Sequence, residues 1–158
     1  MFNQKISVLL CNSGREMKFM YPALDISKYV ISKCTVDNYP ISNLQLQKIL
    51  YYIQKEFLIH GGCAFPEDFE AWQFGPVVPG VYEKYCGFGA LPIRVKYNIK
   101  IDAKYMMIIN PIVERKRTLN PWDMVNDTHS SGKAWDLVYN GGLGNHKIIS
   151  KKLIKNKG

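Results

Sequence analysis

Residues 42–85 read SNLQLQKILYYIQKEFLIHGGCAFPEDFEAWQFGPVVPGVYEKY, and the fold is decided there. Ser42 is placed to cap a first helical turn with its hydroxyl. Gln45 sits three residues on, where its side chain reaches back to the cap's N–H. Ile41 and Leu46 flank the cap at the spacing of a hydrophobic staple. Leu46, Ile49, Leu50, Ile53 and Phe57 then follow the i, i+3, i+4, i+7 spacing of one helical face. Leu44, Tyr51 and Leu58 make a second apolar row. A helix apolar on two faces is buried from both sides, which puts this one at the centre of the domain. Gly61 and Gly62 supply the permissive backbone that ends it. FEAWQF, residues 69–74, reads as a short strand broken by Gly75-Pro76. Pro79 opens a further helix that carries Val81, Tyr82 and Tyr85 until Gly87 ends it.

Outward from this frame, residues 22–34 make a first helix, with Pro22 suited to its first turn and Ala23, Ile26, Val30 and Cys34 on its apolar stripe. Residues 93–102, IRVKYNIKID, alternate apolar and polar, the pattern of a half-buried strand. Its expected partner is the FEAWQF strand or residues 105–109, in a small antiparallel sheet. Its outer face carries Arg94, Lys96, Asn98 and Lys100. Charges on an edge strand guard against aggregation, and that reading is preferred here to a binding face. Asn110-Pro111 reads as the cap and first turn of a helix through Arg117, and Asn120-Pro121 repeats the signal for a helix to about Ser130. Residues 134–139 form a short Trp-bearing turn closed by Asn140-Gly141-Gly142, and Ser150 caps a last helix over 151–155. The expected class is α+β, mainly α: a single domain with a long central helix, several shorter helices and a small antiparallel sheet. Residues 1–20 form an N-terminal lead of unknown role, and the domain proper covers 21–156.

The chain of 158 residues is 47% hydrophobic and 22% charged, which fits one domain with a real core. Its formal net charge is +8, favouring acidic partners or nucleic acid. The cations cluster at Arg115-Lys116-Arg117 and at Lys147, Lys151, Lys152, Lys155 and Lys157. A solvated surface and a frayed tail is the preferred reading, with a basic groove for an acidic protein or DNA as the rival. Cys11, Cys34, Cys63 and Cys86 are widely spaced with no CxxC, which fits a reducing cytosol better than a disulfide framework. His60 and Cys63 make an H-x-x-C half-site, but zinc needs a second pair, and no metal or other cofactor is expected. No apolar run approaches the ~18 residues of a membrane span. ISVLLC, residues 6–11, is too short for a lipoprotein signal and reads as a short strand or an irregular lead.

The catalytic signatures G-x-S-x-G, HExxH and the P-loop are absent, and three histidines leave few general bases, so no enzymatic activity is expected. His129 ends a helix after Thr128, either as a polar contact at a partner site or as a structural histidine bonding a buried carbonyl. The structural reading is preferred. Trp72, Phe74 and Tyr82 surround Gly75, Pro76 and Pro79. They form either a clamp for a partner segment or a plug between helix and sheet. The plug is preferred, although Glu70 shares the Trp72 face and draws that face toward the rim.

The motifs ALDISKYVISKC (23–34), YPISNLQLQKILYY (39–52), FEAWQFGPVVPGVYEKY (69–85), PWDMVNDTH (121–129), AWDLVYNGG (134–142) and HKIISKKLI (146–154) stand in a consistent order. Together they are similar to the Panacea domain of SocA-like antitoxins, a family often labelled phage-associated protein. WQFGPVVP with the following Tyr82 is the most diagnostic piece. In that family the Thr-His pair recurs with a following Trp, here Trp135. The resemblance implies a cytoplasmic protein that binds and neutralises a cognate toxin, encoded beside it, with no catalysis of its own. It also implies a possible protease partner, since some relatives are thought to deliver their toxin to proteolysis. A shared frame for unrelated toxins puts the variable contacts outside it, at Arg94, Lys96 and Arg115, Lys116, Arg117. Trp72, Phe74, Tyr82, His129 and Trp135 complete the candidate partner-binding set. The alternative function is a nucleic-acid-binding regulator, phage- or operon-associated, supported by the positive charge.

Overall fold

The computed structural model describes residues 20–158. The lead over residues 6–11 lies outside the described residues. The elements in order are α1 (Ala23–Val36), α2 (Asn43–Ile59), β1 (Phe69–Trp72), β2 (Gly75–Val77), α3 (Pro79–Tyr85), α4 (Ala103–Lys116), α5 (Pro121–Thr128), α6 (Ala134–Tyr139), β3 (Ile148–Ile149) and α7 (Lys151–Lys157). Single 3-10 turns follow α3 and α6. The sheet is antiparallel throughout, in the order β2-β1-β3. The expected class, mainly α with a small antiparallel sheet, is the one observed. No helix among the described residues is long and apolar enough to cross a membrane.

The helix α2 is the hub, packed by α1, α3, α4, α5, α7 and β2. Its start is the full capping box: the Gln45 N–H donates to Ser42 Oγ at 3.3 Å, and the Ser42 N–H donates to Gln45 Oε1 at 3.0 Å. Leu46, Ile49, Leu50, Ile53 and Phe57 are all buried, as are Tyr51 and Leu58 of the second row. At its end, Gly61 takes φ 84°. The Gly62 N–H then bonds Phe57 O and the Gly61 N–H bonds Leu58 O, the double return of a Schellman ending. The expected stripe of α1, Ala23, Ile26, Val30 and Cys34, is buried against the same core.

Four expectations are corrected. The alternating segment 93–102 is no strand of the sheet, because both edges of β1 are already taken by β2 and β3. It makes one isolated bridge, Ile41 to Ile93, and otherwise lies along α1. Residues 105–109, its other expected partner, belong to α4. That helix begins at Ala103, not at Pro111: Asp102 accepts from the Lys104 N–H at 2.8 Å, and Pro111 sits inside. The carbonyl that Pro111 leaves without its i+4 donor belongs to Met107, a residue on the exposed side of the helix at 77% exposure. Gly75-Pro76 does not break the strand either. Trp72 pairs with Gly75, so the chain turns at Gln73-Phe74 and Gly75-Pro76 lie in β2. Finally, Cys34 and Cys86 are free thiols as a reduced chain requires, but Cys63 is disulfide-bonded.

Candidate partner-binding site

Polar side chains on α2 fasten the loops that carry the aromatic corner. Gln54 is fully buried; its amide donates to Phe65 O and accepts from the Ala64 N–H, both at 2.8 Å. Gln47 accepts from the Val78 N–H at 3.0 Å and donates to Asn43 Oδ1 at 3.1 Å. Asn43 in turn donates to Tyr82 O at 3.2 Å. Lys48 is fully buried and donates its ammonium to Phe74 O at the hairpin tip. Buried amides and an amine, each bonded to a main-chain or side-chain partner, hold a single arrangement, since losing a bond leaves a desolvated group unmet.

Under the tip lies a compact polar and aromatic cluster. Gly75 has φ 115°, and a Cβ there would stand 1.9 Å from Lys48 Nζ and 3.2 Å from Thr128 Oγ1. Only glycine fits both the backbone and the space. The Thr128 hydroxyl is buried and donates to Val125 O at 2.9 Å. His129 stacks on Trp135 with centroids 3.5 Å apart and planes 2° from parallel, and Trp135 stacks on Tyr139 at 4.5 Å. The Trp135 indole N–H donates to Trp72 O at 2.8 Å, tying α6 to β1. Burial drives the Lys48 ammonium down to about 7. Burial first, and the charge of Lys48 second, push the His129 imidazole down to about 4. His129 Nε2 is buried without a hydrogen-bond partner, so the ring is held by stacking and not by the carbonyl bond of the structural reading.

Above this cluster the aromatics reach solvent. Phe74 is 49% exposed and Tyr82 38% exposed, while Trp72 is half-buried. Their expected role as an internal plug is therefore corrected. The reason is the hairpin: Phe74 sits at the turn, past the last paired residue, and cannot reach the core from there. Phe74 meets Trp122 edge-on at 5.7 Å, and Trp122 is 55% exposed at the start of α5. Trp72 meets Tyr82 edge-on at 4.9 Å and stacks on His146 at 4.5 Å. Its indole N–H donates to Glu70 Oε2 at 2.8 Å, the rim carboxylate expected on that face.

The basic candidates lie elsewhere. Arg117 donates to Asp37 Oδ2 at 2.6 Å and covers the Tyr39 ring at 4.7 Å. Bonds from Arg117 and then Lys33 hold the Asp37 carboxyl below its ordinary range. Lys116 lies 3.8 Å over the Tyr52 ring, whose hydroxyl donates to Asp127 at 2.5 Å. Arg115 is exposed, as are Arg94 and Lys96. The structure thus gathers Trp72, Phe74, Tyr82, His129 and Trp135 at one hairpin and leaves the cations apart.

The model of SocA-like antitoxins with the Panacea domain matches residues 46–136. Over 150 residues the chain is 31% identical to Antitoxin SocA of Caulobacter vibrioides (strain NA1000 / CB15N), covering 84% of this chain and 79% of that protein. The chain belongs to the SocA-like Panacea family of antitoxins. No solved structure matches it.

Lys48, Gly75, Thr128, His129 and Trp135 all fall inside the matched Panacea segment. The sequence reading missed Lys48 and Trp122. Lys48 had a signal: it stands four residues after Leu44 and three before Tyr51, on the second apolar row. A charge in a buried row must be paired or shifted in pKa. Trp122 gave no comparable sign, because one aromatic at a helix start is compatible with either surface or core.

Proposed function

We propose that this chain is an antitoxin that neutralises a cognate toxin by direct protein–protein binding, without chemistry of its own. The observation that carries the reading is the aromatic display at the hairpin: Phe74 and Trp122 exposed in mutual contact, with Tyr82 and Trp72 beside them. Large, stiff aromatics mounted on a fixed frame are the residues from which binding hot spots are made. The rival regulator reading draws on the net charge. However, Lys33, Arg117, Lys133 and Lys151 are already engaged with Asp37, Glu114, Asp127 and Asp68. Each such pair uses one acid per cation and leaves the net +8 in place, so DNA binding that falls steeply with salt is the result that would favour the rival.

The test is co-expression with a toxin candidate encoded beside the gene, scored by growth and by pull-down on the tagged antitoxin. Growth is expected to recover with a stoichiometric complex. The double variant Phe74→Ala/Trp122→Ala is expected to lose affinity by at least about 30-fold, from ~2 kcal/mol at a hot spot. Its melting temperature should stay near that of the parent, because both side chains are exposed. A double variant that still protects and still co-purifies removes the hairpin from the interface. Toxin lifetime in the same cells separates blocking from delivery to a protease.

A further inference from the structure

The segment 93–102 carries a feature that the hairpin does not. It runs antiparallel to α1: Thr35 meets Ile93, Ser32 meets Tyr97, and Tyr21 meets Asp102. Its side chains alternate strictly over residues 94–100. Arg94, Lys96, Asn98 and Lys100 are exposed, while Val95, Tyr97 and Ile99 are half-buried. Such alternation is that of extended backbone, in which the N–H and C=O of successive residues point to opposite lateral edges.

From Ile93 to Tyr97 the hydrogen bonds respect that parity; beyond the alternating run the Asp102 N–H donates to the Tyr21 hydroxyl. The Ile93 N–H donates to Ile41 O at 2.8 Å, and Ile93 O accepts from the Thr35 hydroxyl. The Tyr97 N–H donates to Ser32 Oγ at 2.6 Å, and Tyr97 O accepts from the same hydroxyl. All four lie on the odd-numbered edge, three of them against α1 and one against Ile41 just before α2. Among the described residues no partner is found for the backbone groups of Arg94, Lys96, Asn98 or Lys100, nor for the three cationic side chains. Val95 and Ile99 have no backbone partner either, but their edge faces α1; the even-numbered edge faces away from it, an open ladder with a row of unpaired cations standing over it.

We infer that residues 94–100 accept an extended, acidic segment of a protein partner as an added antiparallel strand. Its backbone would pair with the even-numbered edge. Its carboxylates, at every second position, would stand opposite Arg94, Lys96 and Lys100, at the ~5 Å spacing of cross-strand neighbours. The same cations that repel a basic or identical edge thus select the one that docks. The antitoxin reading is used only to make the partner a protein. The assay below needs no toxin, so either can fail without the other.

The probe is a labelled decapeptide of alternating Glu and Thr, with an isomer of the same composition in which the glutamates are grouped. Binding to the full chain is read by fluorescence anisotropy, and amide exchange by NMR. The alternating peptide is expected to bind at least about tenfold more tightly than its isomer. It should slow exchange at Arg94, Lys96, Asn98 and Lys100 but not at Val95 or Ile99. Arg94→Glu/Lys96→Glu should weaken it about tenfold or more. Asn98→Pro, which removes one donor from the open edge and no charge, should weaken it about fivefold with an unchanged melting temperature. Absence of binding, equal binding of the two isomers, binding without even-numbered protection, or preference for a single-stranded oligonucleotide each overturns the inference.

Discussion

Replacing Lys48 by methionine isolates one buried proton. In the unfolded chain the ammonium holds its proton to about 10.5; in the fold, burial brings that down to about 7. Between those values unfolding takes up a proton, so stability rises with pH, by up to ~1.4 kcal/mol per unit. Below pH 7 both states are protonated and the penalty is constant. From pH 7 to pH 9 the wild type should therefore gain about 2 kcal/mol from this group. Lys48→Met has no proton to take up and loses the bond to Phe74 O, which adds a constant offset. Whatever is common to the two proteins cancels in the difference. His129 titrates below this window. The assay is urea unfolding by tryptophan fluorescence at pH 6, 7, 8 and 9. The wild-type minus variant difference should be flat from pH 6 to 7 and then move by about 2 kcal/mol in the wild type's favour by pH 9. A difference constant across the series refutes the reasoning, since it would mean that Lys48 keeps an ordinary affinity for its proton.

Two further substitutions probe the same frame. Gly75→Ala forces a side chain into φ 115° and onto Lys48 Nζ, and should destabilise by about 3 kcal/mol in denaturant titration. Adding Lys48→Met should return only part of that, because the backbone strain stays. Ser42→Ala removes the cap of α2 and should cost about 1 kcal/mol, read as a lower denaturation midpoint at unchanged slope.

The parts of the fold written in local chemistry were legible. The capping box, the two apolar rows and the paired glycines place α2 to within a residue, and Ser150 likewise starts α7 by accepting from the Leu153 N–H. The failures have separate local causes. Alternation in residues 93–102 reports extended backbone with one buried side, but it does not say whether the lateral partner is a strand or hydroxyls of a helix. Here Ser32 and Thr35 of α1 take the place of a neighbouring strand. Pro111 misled because proline marks a first turn far more often than it survives inside a helix; Asp102 capping two turns earlier outweighed it. At the site, the aromatics were found but their exposure was not, since a two-residue turn decides on which side of the sheet's end Phe74 falls.

The grip of α2 on its loops has a consequence for how this protein can change. Gln54, Gln47 and Lys48 take hold of Ala64 and Phe65, Val78, and Phe74 by main-chain atoms only. Amide and carbonyl groups are common to nearly every residue, so the fastening is blind to the side chain displayed there. Mutations at Phe74 alter what the surface offers while the mount keeps its shape. Gly75 is the exception, pinned by its φ and by Lys48. A scaffold fastened in this way can drift toward new adversaries one displayed residue at a time, with no need to refold for each.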